Sequence, residues 1–147
     1  MTRYFGGLEV PEGVKAELLR AVIVMAPGSG IAHNVTVARV QDQVPWPNWC
    51  CLQTQVAEVV SESGVHRDYC TKRSVYAAGK IPAHLVLDPA MAQCVLLTKP
   101  TGEGDEADCL AQGIVRFGDR LSLEALGTEL DTSDFTTFTG VRPHRYP

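Results

Sequence analysis

The sequence lacks the features that mark secreted, membrane-spanning and nucleic-acid-coating proteins. Its longest apolar run, from Ala21 to Pro27, is far shorter than the roughly 20 residues that a bilayer span requires. Residues 1–7 contain no apolar core of signal-peptide length. The net charge of -4 gives no global positive field that would draw the chain to nucleic acid or anionic lipid. We therefore expect a cytoplasmic protein without a membrane partner.

The five cysteines include no Cys-x-x-Cys pair, and their odd number and irregular spacing do not indicate a disulfide framework. A structural zinc site is also disfavoured, because zinc ligands normally come in closely spaced pairs. In a reducing compartment the expected state is a free thiol packed as a small hydrophobic residue. This expectation covers Cys50, Cys51, Cys70, Cys94 and Cys109.

The overall amino-acid composition is typical of one soluble globular domain. Of 147 residues, 45% are apolar and 20% are charged, close to the averages for globular proteins. No repeat, low-complexity stretch or interdomain linker interrupts the chain. We expect a single domain over residues 1–140, followed by a loose C-terminal tail at 141–147.

Helix and strand patterns alternate along the chain, which predicts an α/β or α+β sheet domain. Helices are predicted over residues 31–44 and 66–78, the second ended by Gly79. Beyond residue 118 the pattern is short and mixed, although its leucines can still pack. The predicted strands, with a hairpin formed by the last two, cover residues 21–25, 49–55, 56–60, 83–87, 93–98 and 108–115.

The segment from Glu58 to Asp88 carries the most informative motifs. It contains Glu-Val-Val-Ser at 58–61, Asp-x-x-x-Lys-x-x-x-Tyr at 68–76, Gly-Lys-Ile-Pro at 79–82, and a strand that ends in Asp88-Pro89. In this order the motifs resemble the Uma-two family of restriction endonucleases, which is similar to the PD-(D/E)xK nuclease superfamily. Further matches, from Glu17-Leu18-Leu19 to Leu130, extend the resemblance over most of the chain.

The resemblance implies a restriction-endonuclease-like mixed sheet flanked by helices, and Mg²⁺-dependent hydrolysis of DNA. In such a site Mg²⁺ polarises the phosphate and prepares a water, and a nearby lysine positions or deprotonates that water. By resemblance, Glu58 is the metal ligand and Lys72 the catalytic lysine. Glu17 would be a helper carboxylate, and Tyr76, one turn beyond Lys72, would orient the lysine or touch phosphate.

Each of these residues also has a structural interpretation. Glu58 can be an edge-strand carboxylate that faces solvent. Lys72 can form a solvated ion pair with Asp68, four residues earlier, which would contribute only about 0.3–0.5 kcal/mol. Tyr76 can be an aromatic side chain at the edge of the core. Glu17 can have a structural role instead of acting as a helper carboxylate.

The second predicted helix is locally basic, although the chain as a whole is acidic. Such a helix would suit a DNA backbone, but a basic helix is also the usual form of a solvated face. Both interpretations concern Arg67, Lys72, Arg73 and Lys80.

The sequence departs from the family pattern upstream of Glu58. The family carries a Pro-Asp pair on an earlier strand, and its aspartate is the other metal ligand. This chain has no acidic residue between Asp42 and Glu58. Several tens of family residues are missing at a junction near Gln55 and Val56, which predicts missing strands and weakened Mg²⁺ binding.

Two functions follow from that departure. The first is a metal-dependent DNA endonuclease whose activity is weakened or lost. The second is a catalytically inactive remnant that acts as an oligomerising or DNA-binding module. Oligomerisation is included because a sheet that has lost strands can pair its exposed edge with a strand of a second chain.

Overall fold

The computed structural model describes residues 14–19, 22–27, 35–36, 39–40, 42–43, 55–61, 64–124 and 127–146. The chain falls into two compact units, residues 1–30 and 31–147. In the first unit, β1 (Val14–Leu19) and β2 (Val22–Pro27) form an antiparallel hairpin, which confirms the strand predicted at 21–25. Glu17 lies opposite Val24 in this hairpin, and its side chain lies outside the described part.

The second unit is built on a four-stranded mixed sheet in the order β3-β4-β5-β6. Strand β3 runs parallel to β4, whereas β4–β5 and β5–β6 are antiparallel. Mixed strands with a helix confirm the predicted α+β class and the predicted hairpin. The bounds are Gln55–Val59 for β3, Ala83–Asp88 for β4, Gln93–Thr101 for β5 and Asp108–Arg116 for β6.

A helix connects β3 to β4, as parallel neighbours require a crossover connection. Its helical residues begin at Val65 and include a π-helical turn, Arg67–Thr71, before the regular helix α1 (Lys72–Ala78). The N–H of Gly79 caps it on the Val75 carbonyl at 3.0 Å. The predicted helix is therefore confirmed, and the π turn is an addition. No helix in the described residues is long and apolar enough to cross a membrane.

Strand β4 is buried on both faces, and so a core lies on each side of the sheet. The core between the helix and the sheet consists of Tyr69 from the helix together with Val60, Val86, Val95 and Leu97. The opposite core consists of Val40, Val59, Leu85, Leu87, Cys94, Leu121, Leu123, Leu130 and Phe135.

The chain beyond β6 contains a further hairpin that the sequence pattern did not predict. It consists of β7 (Arg120–Leu123) and β8 (Thr128–Asp131). Three of its leucines are buried in the opposite core, which confirms that they pack: Leu121, Leu123 and Leu130. The described residues of the predicted helix 31–44 are helical, and Gln43 Nε2 donates to the Asp131 carbonyl at 2.8 Å.

The described cysteines are free thiols, as expected. Cys94 is fully buried, and burial raises the pKa of its thiol to about 12. It therefore behaves as a small hydrophobic residue. Cys50 and Cys51 lie outside the described residues.

Within the segment expected to be a loose terminus, two described side chains, His144 and Tyr146, contact the rest of the unit. His144 Nε2 donates to Asp88 Oδ2 at 2.6 Å, and Asp88 is fully buried. The Tyr146 N–H donates to His144 Nδ1, which fixes the proton of the neutral ring on Nε2. The Tyr146 ring stacks on Tyr69, whose hydroxyl also donates to Asp88.

Replacing His144 with Ala should lower the free energy of unfolding by about 1–3 kcal/mol, because a buried carboxylate loses a donor. Urea unfolding at pH 7 measures the change. Arg145→Ala, at an exposed neighbour, serves as the control and should stay within about 0.5 kcal/mol of the native chain. Equal stability of the two variants would show that the terminus is not anchored.

Candidate functional site

Glu58 and Lys72 meet on the sheet face that the helix covers. Glu58 is in β3 opposite Val86, whose side chain lies in the core beneath the helix. Lys72 opens α1, and its Nζ donates to Glu58 Oε2 at 2.7 Å. The side chain of Lys72 is 2% exposed and that of Glu58 is 19% exposed. The acid and the lysine named from the motifs therefore share one site that solvent reaches through Glu58.

A second carboxylate, Asp68, contacts the same ammonium. Asp68 Oδ1 lies 3.1 Å from Lys72 Nζ and 3.7 Å from Arg67 Nε, whereas Oδ2 is 3.4 Å from the Ser61 N–H. Within the described residues Oδ1 makes no hydrogen bond, so its stabilisation is electrostatic. Asp68 and Lys72 are each 2% exposed at the side chain. The interpretation of this pair as solvated is therefore wrong: the pair exists, but it is buried.

Tyr76 holds the other oxygen of Glu58. Its hydroxyl donates to Glu58 Oε1 at 2.6 Å, whereas Lys72 donates to Oε2. Each carboxylate oxygen therefore has one hydrogen-bond donor from the helix. The four-residue spacing from Asp68 to Lys72 to Tyr76 places all three along one side of the helix. Tyr76 thus orients the Glu58 carboxylate, in addition to packing at the edge of the core.

His84 completes the cluster, and sequence reasoning missed it. It packs edge-on against Tyr76, with ring centroids 4.8 Å apart. The residue is 1% exposed, and neither ring nitrogen has a hydrogen-bond partner in the described part of the chain. Burial lowers the pKa of His84 to about 4, although Glu58 acts in the opposite direction. The only available signal was a histidine within an otherwise apolar strand, Ala-His-Leu-Val-Leu.

The basic side chains of the helix are engaged with the protein itself. Arg73 Nε is hydrogen-bonded to Asp108, and its Nη1 donates to Gln112 Oε1 at 3.1 Å. Lys80 Nζ donates to the Gly102 carbonyl at 2.6 Å. These contacts connect the helix to the β5–β6 hairpin, and Lys80 remains exposed to solvent.

The donor chemistry of the cluster is compatible with a hard divalent cation. Mg²⁺ prefers oxygen ligands and is held in proteins by one or two carboxylates, with water and substrate phosphate at the other positions. Glu58 is the accessible carboxylate that would hold the ion, and Asp68 is the second one nearby. In the described residues, no group of three or more His, Cys, Asp and Glu side chains forms a fuller ligand set.

A separate cleft of about 610 Å³ lies on the opposite face of the sheet. Its lining includes Ala83, Leu96 and Thr98 of the sheet and Leu123 of β7. Neither Glu58 nor Lys72 lines it. The acid–lysine cluster is therefore a contact network under the helix rather than a residue set around this cleft.

Neither a scan against protein-family models nor a search of curated proteins returned a match for this chain. The resemblance to the Uma-two family therefore depends on the order and spacing of the motifs between Glu17 and Leu130.

Replacing Lys72 with Met should lower the free energy of unfolding by about 3–5 kcal/mol, because Asp68 would keep a buried charge without its closest cation. Urea unfolding at pH 7 measures the loss. The double variant Asp68→Asn, Lys72→Met removes both charges and should recover most of the stability. A double variant as unstable as Lys72→Met would contradict this electrostatic account.

Acid should destabilise the fold through His84. Its folded-state pKa of about 4 lies below the ordinary 6.5, so the unfolded chain binds the proton more readily. The contribution of neutral His84 to the free energy of unfolding is fully present above pH 6.5. It is lost as the pH falls toward 4, because the unfolded chain then binds a proton that the folded chain does not. Urea unfolding should show a loss of about 2 kcal/mol between pH 7 and pH 5 that is absent in His84→Phe. Parallel pH profiles of the two proteins would contradict the assignment.

Proposed function

We propose that residues 31–147 carry an acid–lysine site of the restriction-endonuclease type, and that its reaction is metal-assisted hydrolysis of a DNA phosphodiester. The observation that supports this is the Glu58–Lys72 ion pair of 2.7 Å, which joins two residues 14 positions apart. A parallel β3–helix–β4 unit places the acid on a strand and the lysine on the helix that follows it.

Each side chain has a role that its contacts support. Glu58 is the metal ligand, and Mg²⁺ when bound would polarise the phosphate and activate a water. Tyr76 fixes the orientation of the Glu58 carboxylate. Lys72 supplies a compact positive charge that can hold a phosphate oxygen or the attacking water. Burial of Lys72 strengthens the electrostatic interactions of this charge, because little water screens them.

The same geometry makes the proposed activity weak. Lys72 is 2% exposed and shares its ammonium between Glu58 and Asp68, so contact with a substrate requires the ion pair to open. Asp68 is as buried as Lys72, which leaves Glu58 as the only one of the two carboxylates with appreciable exposure. We therefore expect slow turnover even with metal and DNA in excess.

A second function is supported by a different observation: the helix cations are paired within the protein. Arg73 binds the β6 residues Asp108 and Gln112, and Lys80 binds the Gly102 carbonyl. In this alternative the domain is catalytically inactive, and the Glu58–Lys72–Asp68 network fixes the helix on the sheet. Such a domain would act as an oligomerising module rather than as a hydrolase.

Nicking of supercoiled plasmid in the presence of Mg²⁺ or Mn²⁺ distinguishes the two functions. The native chain should nick only with metal, and Glu58→Gln should lower the rate about 100-fold or more by removing the ligand. Glu129→Gln makes the same chemical change at an exposed site on β8 and should retain the native rate. Circular dichroism confirms that the compared variants are folded.

Calorimetric titration with Mn²⁺ alone completes the test. Heat that disappears in Glu58→Gln supports the metal site independently of turnover. Nicking that persists unchanged in Glu58→Gln would show that the residue assignment is wrong. A native chain that neither nicks DNA nor binds Mn²⁺ would establish the inactive alternative.

A further inference from the structure

Strand β6 is an edge strand of the four-stranded sheet. Among the described residues, β5 is its only strand partner. The strand is nine residues long, keeps one register with β5 from Asp108 to Arg116, and contains neither lysine nor proline. Long edges of this kind are normally blunted by charge, proline or a bulge, because their unpaired N–H and C=O groups bind other strands.

The edge also exposes two large apolar side chains on one face. Leu110 is 75% exposed and Ile114 is 51% exposed. Ile114 lies opposite Val95 in β5, and Val95 belongs to the core beneath the helix. Because side chains alternate along a strand, Leu110, Gln112 and Ile114 all point to that same side of the sheet.

The sequence of β6 is chemically complementary to its own reverse. Counting outward from Gln112, Leu110 corresponds to Ile114 and Asp108 corresponds to Arg116. If a second β6 lies antiparallel with Gln112 opposite Gln112, each Leu110 faces an Ile114 of the other copy. At both ends a carboxylate then faces a guanidinium. Cross-strand apolar and opposite-charge pairs of this kind stabilise a sheet.

We propose that a second copy of this chain pairs with the first through β6, antiparallel and centred on Gln112, so that two four-stranded sheets become one continuous sheet. The contact is two-fold symmetric and uses the same edge of both copies, so it closes at a dimer. The pairing also covers the exposed Leu110 and Ile114 side chains. The proposal is independent of the nuclease function, because none of Glu58, Lys72 and Tyr76 takes part in it.

The charges at the two ends favour this pairing at neutral pH. Burial raises the pKa of Asp108, but the hydrogen bond from Arg73 outweighs it and leaves the pKa below its usual range. Asp108 is therefore ionised when Arg116 of a second copy approaches. One pair of strands forms a small contact, and so the dimer should be weak and depend on concentration.

Sedimentation velocity over a range of protein concentrations measures the dimer, and Arg116→Glu tests its register. This change places a glutamate carboxylate opposite Asp108 of the other copy at both ends, and like charges directly opposite are destabilising. The dimer dissociation constant should rise about tenfold or more. Arg142→Glu makes the same charge change at an exposed position outside β6 and should leave the constant unchanged.

Crosslinking tests the centre of the contact. In the proposed register, the two copies of residue 112 have Cα atoms about 4.5–5.5 Å apart, within the range that a disulfide spans. Gln112→Cys should form a covalent dimer under mild oxidation, beyond any background of the native chain. Ser122→Cys, at an exposed position on β7, should not.

Three results would overturn the proposal. They are a monomer at every concentration, a dimer that Arg116→Glu and Arg142→Glu affect equally, and crosslinking of Ser122→Cys as efficient as that of Gln112→Cys. Circular dichroism of each variant establishes that the comparison is between folded proteins.

Discussion

The buried ammonium of Lys72 is the interaction on which the helix and the site both depend. A lysine this far from water is stable only when carboxylates replace its hydration. Glu58 does so from β3, and Asp68 does so from the preceding helical turn. The π turn contributes, because the Lys72 N–H bonds to the Arg67 carbonyl five residues earlier and Asp68 is turned inward. The charge therefore locks the helix to the strand that it follows.

The same contacts bear on both the structure and the proposed catalysis. The Glu–Lys pair offers one partly exposed carboxylate, whose two oxygens accept hydrogen bonds from Lys72 and Tyr76. The contacts of Tyr76 with Glu58 and with the His84 ring make that carboxylate rigid. Rigidity favours turnover when the site is open and opposes it when the ion pair must first separate. The proposed activity would therefore depend on the balance between the burial of Lys72 and the attraction of a bound cation and phosphate.

The sequence predicted what depends on local pattern and missed what depends on distant contacts. β4, the β5–β6 hairpin and the crossover helix have clear periodicity, and Gly79 ends the helix where its position predicted. The hairpin of β7 and β8 has strands of only four residues, too short for a strong alternation signal. The anchored terminus was also missed, because His144 meets Asp88 across 56 positions.

The site shows the same division. Motif spacing assigned Glu58 and Lys72 to one site, and in the structure their side chains are hydrogen-bonded to each other. Spacing also paired Asp68 with Lys72, but it could not reveal that the pair is buried, since burial depends on how the helix docks. His84 had no partner motif at all. Its position became meaningful only when β4 placed it against Tyr76.

Adding Mn²⁺ to isotopically labelled protein and recording which backbone amide signals broaden tests most directly whether the acid–lysine cluster holds a cation. A cation held at the acid–lysine cluster predicts paramagnetic broadening at Glu58, Asp68, Tyr76 and His84 at stoichiometric Mn²⁺, and its loss in Glu58→Gln. Broadening confined to the exposed acidic residues Glu103, Asp105 and Glu106 would contradict it, because the ion would then bind a surface loop and leave the buried pair of Glu58 and Lys72 untouched.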